Sequence, residues 1–174
     1  MLVSGAYLLV DGYNVLSSAS DFEQMRSEDL AHARDIFSDM LANYAAFKGC
    51  IPILVFDAYA IKNPVTIEER PGIQVIFTGE GETADSYIEK TAYNLLQKNN
   101  KVFVVTGDHS EQLVILGMGA YRLTAGELMS DCKKVCKEIT ERVISGRPLA
   151  GRQEVAQRID TDVLSKLEDL RRKG

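Results

Sequence analysis

The chain has 174 residues, 45% of them hydrophobic and 26% charged, with a formal net charge of −5. This length suits one globular domain with a sizeable core. Three cysteines exclude a disulfide framework and a four-cysteine zinc site, and no apolar run approaches the ~20 residues of a membrane span, so we expect a cytoplasmic protein that is neither exported nor inserted.

Five apolar segments rich in β-forming residues divide the first 125 residues of the chain. They are Tyr7–Val10, Ile51–Phe56, Ile73–Phe77, Val102–Thr106 and Ala120–Leu123. Their nearly continuous runs of Val, Ile, Leu and Phe lack polar alternation, which is typical of parallel strands covered on both faces. The segments therefore predict a buried, mainly parallel sheet.

Helical patterns lie between these segments. Apolar residues recur at helical spacing from Leu30 to Tyr44, and Gly49 is placed to end that helix as its C-terminal cap. A second stripe runs from Ala84 to Leu96, and a shorter helix is expected between Ser110 and Gly117. The segment Thr124–Glu127 has capping-box spacing and predicts the start of a fourth helix.

Strands and helices thus alternate, with connections that are too long for hairpins. This order predicts right-handed crossovers and a three-layer α/β/α sandwich with a mainly parallel sheet, which we place at residues 5–130. Residues 131–174 are expected to form a helical, basic C-terminal extension packed on or beside that domain. Ser145–Gly151 interrupts the extension with two glycines and a proline, and a final helix is expected to run to Lys173.

Acidic and basic residues are segregated along the chain. Residues 1–132 hold 9 Lys and Arg against 18 Asp and Glu, whereas residues 133–174 hold 11 against 7. The ordinary interpretation of a basic segment is a solvated helix face. The alternative is a surface that contacts the phosphate backbone of a nucleic acid.

Acidic residues follow the predicted strands. Asp11 and Asp57 come directly after two of them, and Asp108 follows a third after one glycine. Glu82 and Asp85 lie three residues apart at the start of a helix, which predicts that they share one face. Any one of these acids is also a common helix N-cap. Ligands of open parallel sheets bind beyond the carboxyl ends of the strands, so we expect the five carboxylates to converge.

Clustered carboxylates raise one another's pKa, so a positive charge is expected among them. Ligand sets made only of oxygen select Mg²⁺ or Mn²⁺, which commonly bind substrates that carry phosphate. Two such ions about 3.5–4 Å apart activate water and stabilise the leaving oxygen of a phosphodiester. Hydrolysis of a nucleic-acid backbone is the chemistry that this pattern favours.

Other phosphate chemistries have less support in the sequence. There is no P-loop motif and no G-x-G-x-x-G after the first strand, so we expect no nucleotide cofactor. A haloacid-dehalogenase-like phosphatase has a second Asp two residues after the first, where this chain has Tyr13. A small-molecule phosphatase is therefore disfavoured.

Four stretches taken together resemble one family. LLVDGYNVL at residues 8–16, VFDA at 55–58, FTGEGETADSYIE at 77–89 and VTGDHSEQ at 105–112 resemble the YacP-like branch of the NYN domains, within the PIN-like nuclease superfamily. The resemblance runs from about Tyr7 to Leu128. It implies the α/β/α sandwich, a Mg²⁺- or Mn²⁺-dependent endoribonuclease, and cleavage of mRNA at the translating ribosome.

The resemblance also implies roles for single residues. The catalytic and metal-binding acids would be Asp11, Glu82, Asp85 and Asp108. Four further residues would have supporting roles. Asn14 would orient Asp11 or contact substrate, and Asp57 would support the site or brace neighbouring loops. Thr106 would bind a nearby carboxylate, and Glu111 would complete the site or cap a helix. One departure is Gly107, where relatives usually carry Ser between the Thr and the Asp.

The basic extension leaves two interpretations open. Its arginines Arg142, Arg147, Arg152 and Arg158 are compatible with binding RNA phosphates, and a helix that merely packs is the alternative. For the whole chain, the rival to an endoribonuclease is a non-catalytic module with the same fold that binds RNA or the ribosome. Retention of the four main acids favours the enzyme.

Overall fold

The computed structural model describes residues 3–57, 64–107 and 115–145. These residues form one six-stranded sheet with the order β3-β4-β2-β1-β5-β6. Its strands are β1 (Tyr7–Asp11), β2 (Ile51–Phe56), β3 (Thr66–Arg70), β4 (Ile73–Phe77), β5 (Val102–Val105) and β6 (Tyr121–Leu123). All neighbouring strands pair in parallel except β3, which is antiparallel to β4. The predicted α/β fold with a mainly parallel sheet is confirmed.

The helices start and end where local signals place them. They are α1 (Gly12–Ser18), α2 (Glu23–Glu28), α3 (Leu30–Lys48), α4 (Ala84–Gln97) and α5 (Ala125–Ser145), with a short 3₁₀ turn at Ser20–Phe22. Gly49 ends α3 in the left-handed conformation, with φ of 71°. At the start of α5, the Thr124 hydroxyl accepts from the backbone N–H of Glu127, and the Glu127 carboxylate accepts from the backbone N–H of Thr124. This is the predicted capping box.

Helices cover both faces of the sheet. Alternate strand residues point to opposite faces, and Leu9, Ile53 and Val55 form one buried cluster with Ile88 and Ala92 of α4. Phe56, of the opposite parity, instead lies beneath the guanidinium of Arg34 in α3. Residues 115–118 are also helical. The layers α4, sheet and α3 are therefore the three layers of the sandwich.

One strand departs from the prediction. Residues 66–70 form the edge strand β3, joined to β4 by the two-residue turn Pro71-Gly72, where Gly72 has a φ of 79°. Pro at the first central position and a left-handed Gly at the second suit a type II turn. The expectation that every connection is too long for a hairpin is wrong at this point. The pattern of apolar runs did not predict this strand, because β3 is polar and mostly exposed, as an edge strand can be.

The order of strands places Asp11 at a special position. From β1 the chain moves to β2 on one side and later returns to β5 on the other, so the direction of winding reverses beside β1. Asp11 ends β1 in register with Val55, and Val10 is in register with Val105. Ligands of open α/β sheets bind at such switch points, beyond the carboxyl ends of the strands.

The chain divides into two compact units, residues 1–136 and residues 137–174. Within the second unit the structure describes residues 137–145, the end of α5, where Arg142 pairs with Glu138 and Lys137 lies 3.8 Å from Glu141. The predicted interruption at 145–151 lies outside the described residues except for Ser145, and the final helix lies wholly outside them. None of the described helices is long and apolar enough to cross a membrane.

Candidate active site

Asp11 is the central acid of the carboxyl edge. It caps α1, since its Oδ1 accepts from the backbone N–H of Asn14 at 3.0 Å. Burial, as the main cause, raises the pKa of Asp11 from its usual 3.8 to about 6; the Asn14 hydrogen bond opposes that shift, and the charges of Asp85 and Asp57 add to it. The sheet thus brings three carboxylates close enough to disfavour the ionised form of one of them.

Asp57 is tied to the start of α4. Its Oδ1 accepts from the backbone N–H of Ala84 at 2.7 Å and from the Thr78 hydroxyl at 3.4 Å. Thr78 is buried directly after β4 and was not among the predicted site residues, although a Thr at that position could have been noticed. The geometry places Asp57 where it braces two neighbouring segments, one of the two roles considered for it.

Asp85 and Glu82 lie differently from the prediction. Asp85 is in the first turn of α4, but the helix begins at Ala84 with Thr83 as its N-cap, so Glu82 precedes it. The backbone N–H of Glu82 donates to the carbonyl of Gly79 in a turn. Burial, followed by the charge of Glu82, raises the pKa of Tyr87. Glu82 is not among the groups that shift the pKa of Asp11. Helical spacing therefore does not hold Glu82 and Asp85 on one face.

Asn14 and Thr106 frame the β5 side of the same edge. Thr106 is buried directly after β5, and Gly107 follows it at the surface. A Cβ atom at position 107 would lie 2.6 Å from Oδ1 and 2.7 Å from Nδ2 of Asn14. The Asn14 amide therefore occupies the space that a side chain at position 107 would need. This explains why glycine fits between Thr106 and Asp108 in this chain.

Several predicted site residues lie outside the described residues, and the structure gives no position for them. They are Asp108, Glu111, Arg147, Arg152 and Arg158. Arg142 lies in the second compact unit, where it pairs with Glu138 one turn earlier in α5. Its RNA-binding role stays a prediction.

A group of side chains at the same edge was missed by the sequence reasoning. Nη1 of Arg34 donates to the Tyr13 hydroxyl at 2.9 Å, and the guanidinium lies 5.9 Å from the ring centre of Phe56 and 5.4 Å from that of Phe77. The Tyr13 and Phe56 rings are 4.9 Å apart, and those of Phe56 and Phe77 are 5.7 Å apart. We call Tyr13, Arg34, Phe56 and Phe77 the arginine–aromatic cluster. No local motif marks it, although Tyr13 lies inside DGYN.

Comparison with known proteins decides the family. A model of the YacP-like NYN domain matches residues 8–172. The chain belongs to this family. Membership of the YacP-like NYN family gives it a nuclease-like, RNA-processing fold, and the match continues through the C-terminal extension.

Individual members of the YacP-like NYN family agree with this assignment. The uncharacterized protein YacP of Bacillus subtilis strain 168 is 34% identical over 167 residues, covering 95% of this chain and 96% of its own. The crystal structure of Rae1 (YacP) from Bacillus subtilis matches with a TM-score of 0.71 at 33% identity, covering 95% and 94% of the two chains. A mutant of Rae1 matches with a TM-score of 0.69 at 35% identity, covering 83% and 86%.

The acids of this YacP-like NYN chain fit a hard divalent cation in their donor chemistry. Asp11 and Asp85 supply only oxygen, the type of ligand that Mg²⁺ and Mn²⁺ prefer. Burial, followed by the charges of Asp85 and Asp57, raises the pKa of Asp11, and a bound cation would favour the ionised carboxylate. Among the described residues no three His, Cys, Asp or Glu side chains gather closely enough to hold a metal ion. The described residues therefore supply two candidate metal ligands, the carboxylates of Asp11 and Asp85, with Asp57 near them.

Proposed function

We propose that this YacP-like NYN protein is a cytoplasmic endoribonuclease that uses Mg²⁺ or Mn²⁺ to hydrolyse phosphodiester bonds of RNA. The observation that carries the proposal is the electrostatic interaction of Asp11 with Asp85 at the switch point of a nuclease-like fold. A partly buried carboxylate with a raised pKa beside another acid is a common mark of functional sites.

Some residues of the site would bind the cation, and others would orient the residues that bind it. Asp11 and Asp85 would hold the cation, with Glu82 and Asp108 as further proposed ligands. The backbone N–H of Asn14 fixes the orientation of the Asp11 carboxylate. Asp57 keeps the first turn of α4, and with it Asp85, in place through the Ala84 N–H. A bound divalent cation would supply Lewis acidity and charge neutralisation at the phosphodiester.

The substrate is proposed to be mRNA at the translating ribosome. The family's RNA-processing fold supports RNA as the substrate class. The excess of Lys and Arg over Asp and Glu in residues 133–174 supports a phosphate-contacting segment that follows the acidic first part of the chain in the sequence. Both features suit an enzyme that approaches a large polyanion.

A non-catalytic module that binds RNA or the ribosome is the second candidate. The observation that favours it is the excess of Lys and Arg over Asp and Glu in residues 133–174, which suits RNA binding without cleavage. Such a module would bind RNA equally well in EDTA and would tolerate neutral residues in place of Asp11 and Asp85. The two candidates therefore differ in a measurable way.

The test is cleavage of a long single-stranded RNA, with and without translating ribosomes, in Mn²⁺ and in EDTA. Wild type is compared with Asp11→Asn, Asp85→Asn and the control Asp39→Asn, which removes an exposed charge in the middle of α3. Folding of each variant is checked by circular dichroism. We expect cleavage by wild type and Asp39→Asn in Mn²⁺ only, and none by the other two. Cleavage that survives both substitutions, or RNA binding without cleavage in every condition, would contradict the enzyme.

A further inference from the structure

We propose that Arg34, held by the arginine–aromatic cluster, binds a backbone phosphate of single-stranded RNA beside the acidic centre. This inference rests on the proposed function for the identity of the polymer. It adds a substrate-binding residue on the α3 side of the sheet edge, opposite the side where Asp57 contacts α4.

The first observation is the uncompensated charge of Arg34. Its side chain is half-buried, yet it makes no ion pair with a carboxylate in the described ranges 3–57, 64–107 and 115–145. Its neighbours there are a phenol hydroxyl and two aromatic rings, all neutral. Fully buried arginines are nearly always paired with an anion, and the Arg34 side chain is only partly exposed to water. The adjacent Asp35 pairs with Arg70 at 2.8 Å, so the nearest carboxylate in the sequence serves another cation.

The second observation is the location of the guanidinium. Phe56 and Phe77 are the last residues of β2 and β4, so a guanidinium above both rings lies at the carboxyl edge of the sheet. Asp57 directly follows Phe56 on that edge. Because strand residues alternate between faces, Phe56 and Asp57 point to opposite sides of the sheet. A strand of RNA that crosses the edge would meet the acids on one side and Arg34 on the other.

Tyr13 connects the two sides. Its backbone N–H interacts with the Asp11 carboxylate, and its hydroxyl accepts the hydrogen bond from Arg34. One residue therefore contacts the Asp11 carboxylate through its main chain and the Arg34 guanidinium through its side chain. This coupling suits a substrate that must be held at Arg34 while it is cut at Asp11.

The third observation is rigidity. Two ring faces and one hydrogen bond hold the guanidinium in a single place, so less conformational entropy is lost when an anion binds. The planar guanidinium also presents several N–H donors, of which the Tyr13 hydroxyl takes one, and it matches the geometry of a phosphate. A pre-organised cation also attracts the polyanion that the acids repel.

The experiment measures RNA binding by the full chain in EDTA, where metal-dependent cutting cannot interfere. Fluorescence anisotropy with labelled oligo-U and oligo-A is recorded over a series of salt concentrations. Arg34→Gln is compared with Lys48→Gln, which removes one positive charge from the same helix roughly 21 Å away, given the rise per residue. Lys48 also lies over a ring, that of Tyr44 at 5.8 Å, so the control variant loses a cation–π contact as well.

We expect Arg34→Gln to weaken binding of both oligonucleotides about tenfold, the value of one charge-assisted hydrogen bond. The slope of log affinity against log salt should fall by about 0.7, as for one phosphate contact on a single strand. Lys48→Gln should change neither quantity. The inference would be overturned if Arg34→Gln left both the affinity and the salt slope unchanged, or if it weakened binding without changing the slope. It would also be overturned if wild type did not bind RNA.

Two further variants guard against a folding defect. Arg34→Lys keeps a cation over the rings and should keep the salt slope while binding more weakly, because it lacks the planar guanidinium. Tyr13→Phe keeps the ring but removes the hydroxyl, and should weaken binding two- to threefold with the slope unchanged; wild-type affinity in both variants would also count against the inference. RNA cleavage in Mn²⁺ tests the proposed function separately. If wild type cleaves RNA and Arg34→Gln binds RNA as tightly as wild type, only the role of Arg34 is refuted.

Discussion

The carboxylate of Asp57 accepts a hydrogen bond at 2.7 Å from the backbone N–H of Ala84, the first residue of α4. An acceptor at this position satisfies a donor that the helix itself cannot, and its negative charge lies at the positive end of the helix dipole. The side chain therefore connects the end of β2 to the start of α4. Any effect of Asp57 on activity should consequently come with a loss of stability.

Asp57→Ala is expected to lower the free energy of unfolding by about 1–2 kcal/mol, the usual value of an N-terminal cap with a favourable charge. Asp57→Asn keeps an oxygen acceptor and should lose less. Urea denaturation of the two variants measures the difference. An alanine variant with wild-type stability and no cleavage would instead make Asp57 a member of the catalytic group.

Asp11→Asn is expected to stabilise the metal-free protein at neutral pH. The folded protein raises the pKa of Asp11 to about 6, so ionised Asp11 is disfavoured by the fold. A group whose pKa is raised on folding gives its full stabilisation below its unfolded pKa, near 4, and loses it as the pH rises through about 6. Asn keeps the cap to the Asn14 N–H and does not titrate.

The expected gain for Asp11→Asn is about 1–2 kcal/mol at pH 8 in EDTA, after allowance for partial solvent screening, and close to zero at pH 4. Urea denaturation at pH 4, 6 and 8 measures it, with Asp39→Asn as the control that should show no such trend. A constant difference between wild type and Asp11→Asn at every pH would show that the charge of Asp11 is not the cause.

The buried part of the fold could be predicted from the sequence because it follows from periodicity and caps. Apolar runs such as Ile51–Phe56 have few alternatives to a buried strand, and Gly49 has the freedom that a helix end requires. The hairpin strand β3 could not be found in this way, because Glu68 and Glu69 give it a polar edge with no apolar run. The turn Pro71-Gly72 was the one local signal available.

The candidate site was predicted in part. Asp11, Asp57 and Asp85 lie close enough to interact, as expected for acids that follow the strands of a parallel sheet, because the strand ends meet at one edge. The position of Glu82 depends on which residue starts α4, and helix ends are the least certain part of such reasoning. Arg34 lies 21 residues from Tyr13, and only the packing of α3 against the sheet brings the two together.

Gly12→Ala is expected to destabilise the protein strongly. A Cβ atom at position 12 would lie 2.2 Å from Cε1 of Phe56, and this ring is fully buried. Overpacking of this kind typically costs about 1–3 kcal/mol. Gly126→Ala in α5 is the matched control, because nothing lies within 4 Å of its added atom, and Ala is the better helix former by up to about 1 kcal/mol.

Thermal and urea unfolding should therefore move in opposite directions for these two glycine variants. The crowding at position 12 should also disturb Arg34, because the same Phe56 ring lies under its guanidinium. Equal stabilities for Gly12→Ala and wild type would mean that Phe56 can move aside, and the arginine–aromatic cluster would then be less rigid than its contacts indicate.

Gly107→Ala is expected to slow RNA cleavage with little change in stability. Its Cβ atom would lie 2.6 Å from Oδ1 of Asn14, so the side-chain amide of Asn14, whose backbone N–H binds Asp11, has to move. Gly107 is exposed, and exposed substitutions usually change stability by no more than about 0.5 kcal/mol. Misplacing a group at an active site lowers rates by roughly 10- to 100-fold.

A double-mutant cycle separates this effect from a general disturbance. Gly107→Ala and Asn14→Ala should each slow cleavage, and the double variant should be no slower than Asn14→Ala alone, because the amide that Gly107 accommodates is then absent. Gly117→Ala, with nothing within 4 Å of its added atom, should cleave like wild type. If the two effects simply multiply, Gly107 acts on the site by a route other than the position of Asn14.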